Sequence, residues 1–165
     1  MKFLIVDDTP EAMKPLAKAL RDAGHETATA RDLAIAWRRI QTQPRVDLVV
    51  VDIALDRYVR EFAEEQRIIR EGLVARVHGN FPMSGQALRL RLWRNRRTLR
   101  TRYCYTTHHM YLWLPNLEPH DPEFRGGNSA DHATIIDKSS LWQHNVESKF
   151  TTAFHEWDNN SWLAE

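Results

Sequence analysis

Three aspartates carry the first chemical signal in this sequence. Phe3-Leu4-Ile5-Val6 is a short apolar run that stops at Asp7-Asp8, and Val46-Asp47-Leu48-Val49-Val50-Val51 stops in the same way at Asp52. Apolar runs of this length, ended by acids, read as strands buried on both faces. In an open α/β sheet, ligands gather at the carboxyl ends of the strands, where the strand order reverses. All three acids fall at such ends. Converging carboxylates repel one another unless a cation sits among them. Hard oxygen donors with positions left for water suit Mg²⁺. Singly, each acid could cap a strand or begin a turn. As a trio on these strand ends, they predict an acidic cleft that holds a metal.

The residues between the acids supply the elements that must bring them together. Thr9-Pro10-Glu11 reads as a helix start, with Thr9 as N-cap, Pro10 at the first helical position and Glu11 at the positive end of the helix. Met13, Leu16, Ala17 and Leu20 recur at helical spacing, and Gly24 suits the left-handed position that stops a helix. Glu26 to Ala30 is a second strand, and Asp32 to about Gln43 a second helix with Leu33, Ala36, Trp37 and Ile40 inward, closed by Pro44. The order strand, helix, strand, helix, strand implies a parallel sheet with helices on both faces.

Composition bounds the rest. The chain has 165 residues, enough for one domain with a real core. With 42% hydrophobic and 27% charged residues it is neither disordered nor fibrous. Lys plus Arg is 23 against 22 for Asp plus Glu, a balance that gives no ground for a nucleic-acid partner. One cysteine, Cys104, excludes an intramolecular disulfide and fits a reducing compartment. No apolar run approaches the ~20 residues of a membrane helix, and the N-terminus lacks the apolar core of a signal peptide. A cytoplasmic protein is expected.

The segments Phe3-Leu4-Ile5-Val6-Asp7-Asp8-Thr9-Pro10 and Val46-Asp47-Leu48-Val49-Val50-Val51-Asp52-Ile53-Ala54-Leu55 resemble the receiver domain of two-component response regulators. The resemblance implies a doubly wound α/β fold of flavodoxin-like topology, five parallel strands in the order 2-1-3-4-5. It implies Asp52 as acceptor of a phosphoryl group from a histidine kinase or phosphotransfer protein. Mg²⁺ would be held by Asp8, Asp52 and the backbone carbonyl of Ala54, with Asp7 helping through water. Such transfer needs in-line positioning and neutralised oxygens, which a metal and a lysine supply. The family places a Thr or Ser after strand four and a Lys after strand five. Arg102-Tyr103-Cys104-Tyr105-Thr106-Thr107 is a β-prone run ending in hydroxyls, so Thr106 is the first choice and Thr107 the neighbouring alternative. Thr134-Ile135-Ile136-Asp137-Lys138-Ser139 reads as the fifth strand, with Lys138 at its end.

The second half departs from the family. Pro82-Met83-Ser84-Gly85-Gln86-Ala87-Leu88 looks like the start of the family's third helix but lies far downstream of Asp52, so residues 56–80 read as an inserted helical segment. Tyr58, Phe62, Ile69, Leu73 and Val77 form one helical stripe, with Arg60, Glu64, Glu65 and Arg67 opposite. A single helix of about 22 residues, some 33 Å long, is expected there, weakened near its middle by Gly72. The stripe must pack on the following helix, on the 108–133 segment or on another molecule, leaving a homodimer or kinase contact. Pro115, Pro119, Pro122 and Gly126-Gly127 make residues 108–133 an irregular replacement for helix four. The family's Lys-Pro is here Lys138-Ser139, and its aromatic switch position is Ile135.

The arginines from Arg89 to Arg102 read as the solvent face of an amphipathic helix, with Glu61, Glu64, Glu65 and Glu71 as partners across a helical hairpin. His108, His109, His120, His132, His144 and His155 have no metal-motif spacing, though His108 and His109 follow Thr106 closely enough to line the same pocket. Phe150, Phe154 and Trp157 fit one face of a last helix docked on the sheet. The expected protein is a single-domain receiver spanning 1–165, with no attached output domain, acting on a downstream protein through contacts rather than as a turnover enzyme. The rivals are an interaction module that keeps the fold without being phosphorylated, and a small Mg²⁺-dependent phosphohydrolase.

Overall fold

The computed structural model describes residues 1–42, 45–55, 57–75, 85–114, 117, 135–159 and 161–163. Five parallel strands form one sheet in the order β2-β1-β3-β4-β5. They are β1 (Lys2–Val6), β2 (Glu26–Ala30), β3 (Leu48–Asp52), β4 (Arg102–Thr107) and β5 (Ile135–Asp137). The helices are α1 (Lys14–Asp22), α2 (Leu33–Thr42), α3 (Ala63–Ala75), α4 (Gly85–Arg94), α5 (Arg96–Leu99) and α6 (Val146–Glu156). The 2-1-3-4-5 order expected from the resemblance is the order found.

The period-2 alternation of the strands sorts the core into two faces. Phe3, Ile5, Leu48, Val50, Cys104 and Ile136 point one way and meet Ala17 and Leu20 of α1 and Val146, Phe150 and Ala153 of α6. Leu4, Val6, Val49, Val51, Tyr103 and Tyr105 point the other way, toward α2 and α4. Cys104 is fully buried in the first face, and desolvation pushes its thiol well above the ordinary range. The last helix docks as expected. Phe150 packs on Phe3 with ring centroids 5.8 Å apart, and the Trp157 indole N–H donates to the Tyr103 carbonyl at 3.0 Å.

Several expectations are corrected in detail. Thr9 does not cap the first helix: its hydroxyl donates to Asp7 Oδ1 instead, at 3.0 Å, and Pro10–Met13 is a 3₁₀ turn that leads into α1. Gly24 does stop α1, with φ at +89°. The single long helix after Asp52 is replaced by a 3₁₀ turn, Arg60–Phe62, and the 13-residue α3. Phe62, Ile69 and Leu73 of the expected stripe are buried, but Tyr58 precedes the turn and is 66% exposed. Val77, Pro82 to Ser84, and residues 118–134 of the irregular segment lie outside the described residues.

The arginine-bearing helix differs most from its expected form. Apart from Arg91 and Arg94, every residue of α4 is buried, because the sheet and α2 cover one side and α3 covers the other. A helix covered all round needs no polar stripe. Arg89 is fully buried and its Nε donates to the Tyr105 hydroxyl at 3.3 Å. Arg91 forks onto Glu65 of α3, at 2.8 Å and 3.1 Å, and its guanidinium lies 3.7 Å from the Phe62 ring centroid. Burial opposes the Glu65 charge, yet the Arg91 fork, a backbone hydrogen bond and the charge of Arg94 together outweigh it and hold the carboxyl below its usual range. Phe62 and Arg91 therefore pin α3 to α4 as a third layer. Phe62→Ala is expected to cost about 3–5 kcal/mol, read as a lower urea midpoint with an unchanged slope.

Candidate functional site

At the carboxyl ends of β1 and β3 the structure brings Asp7, Asp8 and Asp52 together, with one carboxylate oxygen from each lying within 4.8 Å of the others. They open into a cleft of about 510 Å³ whose walls include Ala12, Ala54, His108, His109, Lys138 and Trp142. Two of the acids are buried and one is not: Asp7 is 1% exposed and Asp52 5%, whereas Asp8 stands at the mouth.

Each side chain is placed by local backbone. Asp7 ends the apolar run of β1 and is held at Oδ1 by the backbone N–H and hydroxyl of Thr9, at 2.9 Å and 3.0 Å. Asp52 is the last residue of β3, and its Oδ1 accepts the Ala54 N–H at 3.0 Å. Lys138 follows β5 directly. Its ammonium donates to Asp52 Oδ2 at 2.7 Å and to Asp7 Oδ2 at 2.8 Å. Burial opposes the lysine charge, but the two carboxylates outweigh it and raise its pKa.

Thr106 pairs with Asp52 in the β3–β4 register, and strand parity puts it on the same face of the sheet. Thr107 points to the opposite face, where its hydroxyl accepts the His109 N–H at 2.9 Å. Ala54, His108 and His109 all line the cleft. Trp142 does too, although it was not expected there from the sequence. Its nearness in the chain to Lys138 was the available signal. Among the described residues there is no cis peptide bond, consistent with Ser139 standing where the family has proline.

The donor set suits a hard divalent cation. It consists of oxygens alone, and three acids face one lysine, leaving excess negative charge. Burial first, and then the charges of Asp7 and Asp52, raise the Asp8 pKa above its ordinary value. A carboxyl with a raised folded-state pKa costs the fold stability as pH rises through that pKa, and the penalty persists at neutral pH. Asp8→Asn is therefore expected to raise the melting temperature of the metal-free protein at pH 7. It should also remove any rise that added Mg²⁺ gives the wild type. Both are read by calorimetry with and without the ion.

Residues 3–59 match the family pattern of the response regulator receiver domain. No curated protein matches the sequence. Among solved structures, a response regulator from Thermotoga maritima is similar with a TM-score of 0.53 and 14% identity, over 93% of this chain and 96% of that one. A CheY-like receiver domain protein from Methanospirillum hungatei JF-1 is similar with a TM-score of 0.52 and 16% identity, over 96% of each chain. The response regulator TrrA from Thermotoga maritima, solved in complex with Mg²⁺-BeF, gives a TM-score of 0.51 and 17% identity over 92% of this chain and 97% of that one. At these identities the structural likeness speaks for the fold. The receiver-domain pattern is thus carried by residues 3–59, and the fold along the chain is the one that receiver domains have.

Proposed function

We propose that the protein accepts a phosphoryl group on Asp52 and passes the signal on by changing a protein–protein contact. The observation that carries this reading is Lys138, whose ammonium bridges Asp52 and Asp7 beside an exposed Asp8. A carboxylate of Asp52 would attack the phosphorus of a phosphohistidine on a histidine kinase or phosphotransfer protein. The P–N bond breaks, the imidazole leaves with the donor, and an acyl phosphate remains on Asp52.

Asp8, Asp52 and the Ala54 carbonyl would hold Mg²⁺, with Asp7 acting through water. When bound, the ion neutralises charge on the phosphoryl oxygens. Lys138 is already placed to follow the incoming oxygens, and Thr106, sharing the face of Asp52, would donate its hydroxyl to one of them. Asp7, tied to Thr9 and Lys138, fixes the lysine beside the acceptor. The phosphorylated form then favours a second conformation of the surrounding segments.

The test is incubation with acetyl phosphate, with and without Mg²⁺, read by intact mass. The expected result is one phosphoryl group, gained only with the metal and lost on treatment with hydroxylamine, which cleaves acyl phosphates. A protein that binds Mg²⁺ and is never labelled would instead be an interaction module that keeps the receiver fold.

A further inference from the structure

Helix α4 touches the strand that carries Asp52 and the segment that follows β4 within two consecutive residues. Gly85, its first residue, lies so close to β3 that a Cβ there would fall on the Asp52 carbonyl oxygen and 2.9 Å from Ile53 Cα. The next residue, Gln86, is 1% exposed. Its amide Nε2 donates to the Leu114 carbonyl at 3.0 Å, and its Oε1 accepts the Leu114 N–H at 2.9 Å. One side chain thus satisfies both backbone groups of a buried residue, the way a neighbouring strand would.

Leu114 closes the segment that runs from His108 and His109, on the cleft wall, through the 3₁₀ turn Met110–Leu112. On its other side Leu114 meets α3: a Cβ on Gly72 would lie 2.9 Å from Leu114 Cδ1. The Arg91–Glu65 fork and Phe62 fasten α3 to α4. The path from the Asp52 backbone to the outer layer is therefore continuous: Gly85, Gln86, Leu114, Gly72.

We infer that Gln86 is a positioning residue that latches the Met110–Leu114 segment to α4, so that the state of Asp52 is read out through the α3–α4 pair. The inference rests on Asp52 being the phosphoacceptor. Buried amide pairs are either made or broken, because a half-satisfied arrangement leaves a desolvated polar group. A displacement of the Asp52 backbone or of the cleft wall is then passed on as a discrete change. By reciprocity, a partner that grips α3 biases Asp52 as strongly as Asp52 biases α3.

The experiment is amide hydrogen exchange on the full chain, with Mg²⁺ alone and with Mg²⁺ plus beryllofluoride, with occupancy of the cleft followed by fluorine NMR. In the wild type, beryllofluoride is expected to change exchange in peptides covering 110–114 and α3 by at least about fivefold, the low end of typical coupling between sites. Gln86→Met removes both hydrogen bonds at similar volume and is expected to bind beryllofluoride while losing that distant change. Bound fluoride with no change beyond the cleft in the wild type would overturn the inference, as would a full response in Gln86→Met. Should Gln86→Met fail to fold, Gln86→Glu keeps the acceptor for the Leu114 N–H and lacks the donor. A reduced response there supports the latch and an undiminished one refutes it. No bound fluoride in the wild type would instead remove the phosphoacceptor reading, and the latch with it.

Discussion

Asp52→Asn is expected to abolish labelling by acetyl phosphate and Mg²⁺ while leaving the protein folded. The loss should be complete, because a carboxamide oxygen is a poor nucleophile and the nearby acids are differently engaged. Asp7 already accepts bonds from Thr9 and Lys138, and Asp8 stands at the mouth of the cleft. Removing one member of a buried ion pair usually leaves its partner stranded at a cost of several kcal/mol. Here Lys138 keeps Asp7 at 2.8 Å, so its charge stays compensated. The substitution also removes one negative charge from a site crowded with them, which offsets the lost attraction. Asparagine retains the oxygen that accepts the Ala54 N–H. Circular dichroism and the melting temperature should therefore change little while the mass shift disappears. Undiminished labelling would move the acceptor away from Asp52.

Gly85→Ala is expected to be among the most damaging single methyl additions in the chain. The new Cβ would overlap the Asp52 carbonyl oxygen and stand 2.9 Å from both the Asp52 carbonyl carbon and Ile53 Cα. These are backbone atoms at the end of a central strand that is paired on both sides. They cannot yield without breaking the sheet or lifting α4. Overpacking of this kind costs about 3 kcal/mol or more, and in a chain of this size that lowers the melting temperature by about 10 °C. Gly72→Ala is the control. The atom it meets, Leu114 Cδ1, is the far end of a flexible side chain. Alanine also gains about 0.5–1 kcal/mol over glycine inside a helix. Equal losses for the two substitutions, measured by thermal melts, would contradict the close approach at Gly85.

The parts of this protein legible in the sequence were those where one residue's type is decided by its own strand or helix. The runs ending at Asp7-Asp8 and Asp52 are buried on both faces, so their hydrophobicity is continuous and their ends are abrupt. β2, at the sheet edge, was readable from its threonines, and Gly24 from the backbone conformation it must adopt. Lys138 was not legible alone. It gained meaning from the order of the other positions in the resemblance, and the structure then set its ammonium on two of the acids.

What the sequence concealed depends on contacts between distant elements. Periodicity assigns an arginine to water unless something else covers it. Arg91 is covered by Phe62 and answered by Glu65, 26 residues away, and Arg89 by the Tyr105 hydroxyl. Thr9 was expected to cap a helix, but a hydroxyl beside a carboxylate finds the stronger acceptor there. Gln86 carries no signature at all in the sequence. Its role exists only because Leu114 has two backbone groups turned toward it.

The burial of Cys104 has a practical consequence. Only the thiolate attacks alkylating reagents and disulfides. A thiol sealed in the sheet and held protonated by desolvation leaves the native chain without a reactive sulfur. A single cysteine placed on the surface would then be the one site a maleimide can reach, with the wild-type Cys104 left in place. Val74, 55% exposed on α3, is a suitable position. A spin label or dye attached there would report the movement of that helix without any cysteine having to be removed first.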